Sequence, residues 1–177
     1  MSAVHTRHQI RPLAEEDVEA VMALWGLNVL DELEILSYDR WGPGIAVPVT
    51  SDVDELKVQT LDPKDGMRRL LAHLMTDKNA FCLVAGPAGN PQGYIVARVV
   101  DQGVNDFRYG RIDELYVAEE HRRQGVATAL VAAAMRRLRD AQATIFKVEV
   151  TNTWEGGRRF WDTQPWEQDA VVYRLYD

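Results

Sequence analysis

Cysteine is almost missing from this 177-residue chain: Cys82 stands alone, inside the apolar run AFCLVAG. A lone thiol excludes an intramolecular disulfide and a thiolate metal cluster, and it suits a reducing compartment. In such a run it is expected to be a core residue rather than a nucleophile. The four histidines, His5, His8, His73 and His121, show no metal-ligand spacing, so no metal is expected. No apolar run is long enough to span a bilayer, and the opening MSAVHTRHQIRPL lacks the apolar core of a signal peptide. A cytoplasmic protein without a membrane partner is expected. Positive charge is not in excess either. A net charge of −7 argues against nucleic acid as a partner and is compatible with a cationic one such as an amine. The two common phosphate-binding patterns, GxGxxG and a glycine-rich loop ending in Gly-Lys-Ser/Thr, are also missing.

What is present describes an ordinary globular domain. Hydrophobic residues make up 46% and charged residues 27% of the chain, with both signs interspersed and no repeat or linker, so residues 1–177 are expected to form one domain. A first strand is expected near His8 to Arg11, then a helix over AEEDVEAVMALWGL whose acidic first turn opposes the helix dipole and which stops at Gly26. VLDELEILSYDRW reads as a second helix, and GPGIAVPVTSD as loop. The 26–63 segment as a whole suits a binding loop or lid. Another helix is expected in DPKDGMRRLLAHLMTDKN. A hairpin follows from AFCLVAG and QGYIVARVV around the turn PAGNP, then a strand in FRYGRIDELYV. The helix GVATALVAAAMRRLRDA, the strand TIFKVEV, a short helix in GGRRFWD and a last strand in DAVVYRLYD complete the chain. The fold class is mixed α/β (α+β): a mostly antiparallel central sheet with helices on both faces.

The stretch RIDELYVAEEHRRQGVATALV carries the chemistry. Strict alternation puts Ile112, Glu114 and Tyr116 on one face of its strand, and Asp113, Leu115 and Val117 on the other. The turn AEEHRRQ then leads into a helix beginning near Gln124 or Gly125. The first backbone N–H groups of a helix lack internal partners and carry partial positive charge. With Gly125 permitting close approach, and Arg122 and Arg123 adding charge, the turn can cradle a phosphate. A basic turn without a ligand is the plainer alternative.

LYVAEEHRRQGVATAL resembles the acetyl-CoA-binding motif of the GNAT acetyltransferase superfamily, Arg/Gln-x-x-Gly-x-Gly/Ala, with Arg122, Gly125 and Ala127 in register. The order of elements from about residue 8 to 176 is similar to the family's as well. EHRRQGVATAL also resembles the same stretch of aminoglycoside 3-N-acetyltransferases, though that stretch meets the cofactor and not the acceptor. The resemblance implies that backbone groups of Leu115, Tyr116 and Val117 bind the pantetheine arm and acetyl group. It further implies that the amides of Arg123, Gln124, Gly125, Val126, Ala127 and Thr128 wrap the pyrophosphate, and that Asn152 contacts the cofactor arm.

Transfer from the thioester would go to an amine by direct attack in a ternary complex. Deprotonation of the amine needs a base, and the developing oxyanion needs a donor. Glu114 is the candidate base, with Asp113 second and a water relay as the alternative. The amide of Val117 is the candidate oxyanion donor. The aromatic pair near the chain's end, Phe160 and Trp161, places Trp161 where the family has a tyrosine acid, and an indole N–H is not a usable acid. Since a thiol has a pKa near 8.5, the thiolate can leave unassisted at modest cost. The acceptor region implied by the resemblance includes Asp31, Glu32, Glu34, Tyr38, Asp39 and Trp41, whose acids and rings would suit a cationic amine; a solvated helix face is the plainer reading of the acids, and Trp25 is expected in the core. The expected partners are thus acetyl-CoA and an amine, with a homodimer left open. Two rival functions stand beside this one: a non-catalytic acyl-CoA-binding sensor, and a transferase for a longer acyl group.

Overall fold

The computed structural model describes residues 8–35, 63–101, 103, 107–150 and 155–169, with backbone alone for 29–35 and 63–66. Five strands lie side by side in chain order: β1 (Ile10–Pro12), β2 (Ala80–Ala85), β3 (Gly93–Asp101), β4 (Arg108–Val117) and β5 (Ile145–Val148). β1 to β4 run antiparallel, and β5 lies parallel to β4. Helices cover both faces. Helix α1 (Val18–Ile35) and α2 (Pro63–Leu74) pack on one face through Val21, Leu24, Trp25, Met67 and Leu71. On the other face, α3 (Val126–Asp140) packs through Val126, Leu130, Val131, Ala134 and Leu138, joined by Trp161 of α4 (Glu155–Asp162).

This layering explains why β2 reads as a continuous apolar run. Phe81, Leu83 and Ala85 meet the α3 layer while Cys82 and Val84 meet α1 and α2, so both faces are dry. Cys82 is buried, and burial pushes its thiol pKa up, as expected of a core residue. The hairpin of β2 and β3 pairs in uninterrupted register from Ala80 opposite Arg98 to Ala85 opposite Gly93.

Two expectations need correction or comment. Gly26 does not end the first helix: α1 runs on to Ile35 and absorbs the start of the expected second helix. A glycine inside a helix costs only about 1 kcal/mol, and the apolar face of Val21, Leu24 and Trp25 on either side of that cost holds the helix against the sheet. The final strand in DAVVYRLYD lies outside the described residues from position 170 on.

The chain's entry into α1 is anchored by a buried carboxylate. A short 3-10 turn (Glu15–Asp17) precedes α1, and the fully buried Asp17 accepts from Arg11 of β1 at 2.6 and 2.7 Å. It also accepts from the backbone N–H of Ala14 (3.0 Å) and of Gly89 in the β2–β3 turn (2.9 Å). One side chain thereby joins the edge strand, the helix start and the hairpin turn. The hydrogen bonds from Arg11 outweigh burial and hold the Asp17 carboxyl down at about 2. A folded-state pKa below the unfolded one means that the stabilisation exists above the unfolded value, about 3.9, and is lost as pH falls through about 2. We expect Asp17→Asn to lower the unfolding free energy by about 2–3 kcal/mol at neutral pH. In urea titrations the gap from wild type should narrow between about pH 4 and pH 2; a gap independent of pH would contradict the assignment.

Candidate functional site

The site begins with an interruption in β4. Val96 of β3 lies opposite Glu114, and its neighbour Ala97 lies opposite Ile112, so Asp113 is an extra residue without a cross-strand partner, a β-bulge. The bulge breaks the expected alternation. Ile112 joins Val117 and Leu115 against α3, while Tyr116 packs with α1 and α2 and Glu114 reaches the same side. Ile112 is therefore not on the face of Glu114 and Tyr116, because one inserted residue reverses the period-two pattern on either side of it. Asp113 is buried between two cations: Arg98 Nε stands 2.5 Å from Oδ2, and Arg111 Nε 2.8 Å from Oδ1. The second contact is close enough for an ion pair but out of line for a hydrogen bond. Burial raises the Asp113 pKa against the opposing pull of both arginines.

The bulge falls where β4 and β5 part. Their last paired residues are Ile112 and Val148, so beyond them β4 has no partner strand on its β5 side among the described residues. The register with β3 decides which backbone groups face that opening. Ala118 N–H donates to the Gln92 carbonyl (3.0 Å), with Val117 opposite Gly93, so Tyr116 pairs its backbone with Tyr94. Leu115 and Val117, the alternate residues, direct their N–H and C=O groups into the opening. Arg122 Nε donates to the Val117 carbonyl at 3.0 Å, which leaves the Val117 amide on the open edge.

Beyond β4 the chain makes a short 3-10 turn (Glu119–His121) and enters α3 through two left-handed residues, Arg123 (φ 61°) and Gly125 (φ 85°). Gly125 is the N-cap of α3, and the first bond of the helix runs from Ala129 N–H to the Gly125 carbonyl at 3.0 Å. The amides of Val126, Ala127 and Thr128 therefore precede that bond, and no acidic residue occupies the first turn to meet the positive end of the dipole. The turn is held from several sides. His8 Nε2 donates to the Gln124 carbonyl (2.8 Å), Gln124 Nε2 donates to the Glu120 carbonyl (2.9 Å), and the Arg122 guanidinium lies over the Tyr116 ring at 5.3 Å. Arg122 thus braces the turn against β4, and Arg123 is exposed.

On the α1 side of the opening, Glu114 Oε2 accepts a 2.8 Å hydrogen bond from the hydroxyl of Tyr94, which is fully buried. Asn28 of α1 is also buried, and its Oδ1 has no hydrogen-bond partner. Neither Tyr94 nor Asn28 is evident as a site residue in the sequence. The pairing of Tyr94 with Glu114 depends on register, which local pattern does not contain. Asn28, however, sits three and seven residues after Trp25 and Val21 on the core face of α1, and a polar residue at such a position is a readable signal. Trp161 is buried between Phe160 and Trp166, each ring centroid 5.1 Å away in edge-on contact, so it serves an aromatic cluster of the core. Trp25 is in the core as expected. Asn152, Tyr38, Asp39 and Trp41 lie outside the described residues, and Asp31, Glu32 and Glu34 lie on α1 where backbone alone is described.

The sequence matches the family described as "Acetyltransferase (GNAT) family" over residues 52–164. No curated protein matches it. Solved structures of the same fold include a transcriptional regulator from Bacillus halodurans C-125, 13% identical with a TM-score of 0.67 over 96% of this chain and 99% of that one. A ribosomal-protein-alanine N-acetyltransferase from Brucella melitensis biovar Abortus 2308 is 18% identical, with a TM-score of 0.65 over 96% and 99%. An aminoglycoside acetyltransferase from an uncultured soil metagenomic sample, in complex with sisomicin, is 16% identical with a TM-score of 0.64 over 98% of each chain.

Gly125 has room for a methyl group, since an added Cβ would meet only His8 Nε2 at 3.6 Å. The φ of 85° is what demands glycine. We expect Gly125→Ala to destabilise the protein by about 1–2 kcal/mol in chemical denaturation. Unchanged stability would show that the turn tolerates a different backbone path.

Proposed function

The chain belongs to the acetyltransferase (GNAT) family, and we propose that it is an acetyl-CoA-dependent N-acetyltransferase acting on a primary amine of a small molecule, peptide or protein. The carrying observation is the parting of β4 from β5 directly after the Asp113 bulge, beside a helix start entered through a left-handed glycine. That arrangement fits the cofactor on its own terms. A long polar arm can pair with the open edge of β4, and a diphosphate can accept from the unpartnered amides that follow.

Acetyl-CoA supplies the acetyl thioester. Leu115 and Val117 offer their edge groups to its arm, with Tyr116 beneath them and Asn152 as a further contact. Arg123, Gln124, Gly125, Val126, Ala127 and Thr128 offer their amides to the pyrophosphate, and Arg122 keeps that turn braced on β4. The amide of Val117 donates to the thioester carbonyl oxygen, where negative charge develops as the amine attacks. Glu114 takes the proton that the amine nitrogen loses. Trp161 cannot protonate the departing thiolate, which leaves as the anion or takes a proton from solvent.

A second reading, a non-catalytic acyl-CoA sensor, draws on Trp161 at the position of the usual tyrosine and on the regulator that shares the fold. Calorimetry with acetyl-CoA should show binding at or below tens of micromolar, roughly 6–7 kcal/mol, and an absence of binding there would overturn both readings. Thiol release across polyamines, aminoglycosides and N-terminal alanine peptides should show turnover with at least one; binding without turnover would favour the sensor. Glu114→Gln should lower kcat by about 100-fold or more and remove the rising limb of its pH profile. An unchanged profile would rule Glu114 out as the base.

A further inference from the structure

We propose that Tyr94 is a positioning residue for Glu114; the inference rests on the reading of Glu114 as the base. The Tyr94 hydroxyl has one proton, and at 2.8 Å it is given to Glu114 Oε2.

Tyr94 is well suited to this task. It is fully buried, and burial together with the nearby carboxylate keeps the phenol protonated far above neutral pH, so it donates throughout the working range. A donor aimed at the ionised form holds the carboxylate in one orientation and favours its charged state. Other groups around the carboxylate are arranged differently. Cys82 of β2 faces it as a neutral thiol, and Asp113 on β4 is occupied by Arg98 and Arg111. Arg122 lies over the ring of Tyr116, and Asp17, before α1, is tied to Arg11.

The test is Tyr94→Phe, which keeps the ring and deletes the donor. Carbon-13 NMR of the Glu114 side-chain carboxyl, which needs no acceptor, should titrate about one pH unit higher in the variant. In the thiol-release assay with acetyl-CoA and the best amine of the panel, the rising limb should move by the same amount and in the same direction. Should Tyr94→Phe fold poorly, 3-fluorotyrosine incorporated at position 94, a stronger donor of nearly the same shape, should shift both in the opposite sense. An unmoved carboxyl titration in a folded variant overturns the proposal while leaving Glu114→Gln to decide the base. A moved titration with an unmoved rate profile overturns the positioning role, and if Glu114→Gln also leaves the profile intact, the base assignment falls with it.

Discussion

The architecture of the site depends on one inserted residue. Asp113 adds a single position to β4 that β3 cannot match, and the strand bends where its pairing with β5 ends. A bulge leaves a residue unpaired and increases local twist, which is costly in the middle of a sheet unless something compensates. Here Arg98 from β3 and Arg111 from β4 close on the Asp113 carboxylate, so that a buried charge is matched instead of stranded. Past this point β4 is, among the described residues, an internal strand with an open edge. An exposed edge invites another strand, and here it lies between two packed layers, where an extended ligand of the right polarity is a natural occupant.

Polar groups within this apolar frame divide into two sets. The Arg11–Asp17 contact joins β1, the start of α1 and the hairpin turn, with every acceptor position on Asp17 used by a strong donor. It is a fastening for the scaffold. The second is the hydrogen bond from Tyr94 to Glu114, which lies on the α1 side of the sheet, opposite the layer that carries α3.

The short apolar runs on either side of PAGNP and the period of 3.6 along α2 and α3 were enough to place these elements, because such patterns record which segments, and which sides of them, meet the core. Gly125 stood out for a different reason, as a glycine directly ahead of a long helix where a ligand could approach the main chain; its left-handed φ is what the structure adds. Failure came where a local rule had a tertiary exception. Gly26 looked like a stop, but the face formed by Val21, Leu24 and Trp25 carried the helix past it. Straight alternation through RIDELYV missed the bulge, since nothing local announces that β3 will pair with 112 and 114 and skip 113.

What the sequence determined by itself was therefore the order of the described strands, the helices α2 and α3 and the glycine turn at the head of α3, all of which follow from local conformational preference and from the positions of apolar residues. Only the tertiary structure decided which side chains share a face on β4, that Glu114 receives its hydrogen bond from Tyr94, and that Asp113 is taken up by two arginines. Those outcomes depend on cross-strand register and on the meeting of α1 with the sheet. Both are contacts between residues distant in the chain, where the identity of either partner alone carries no trace of the other.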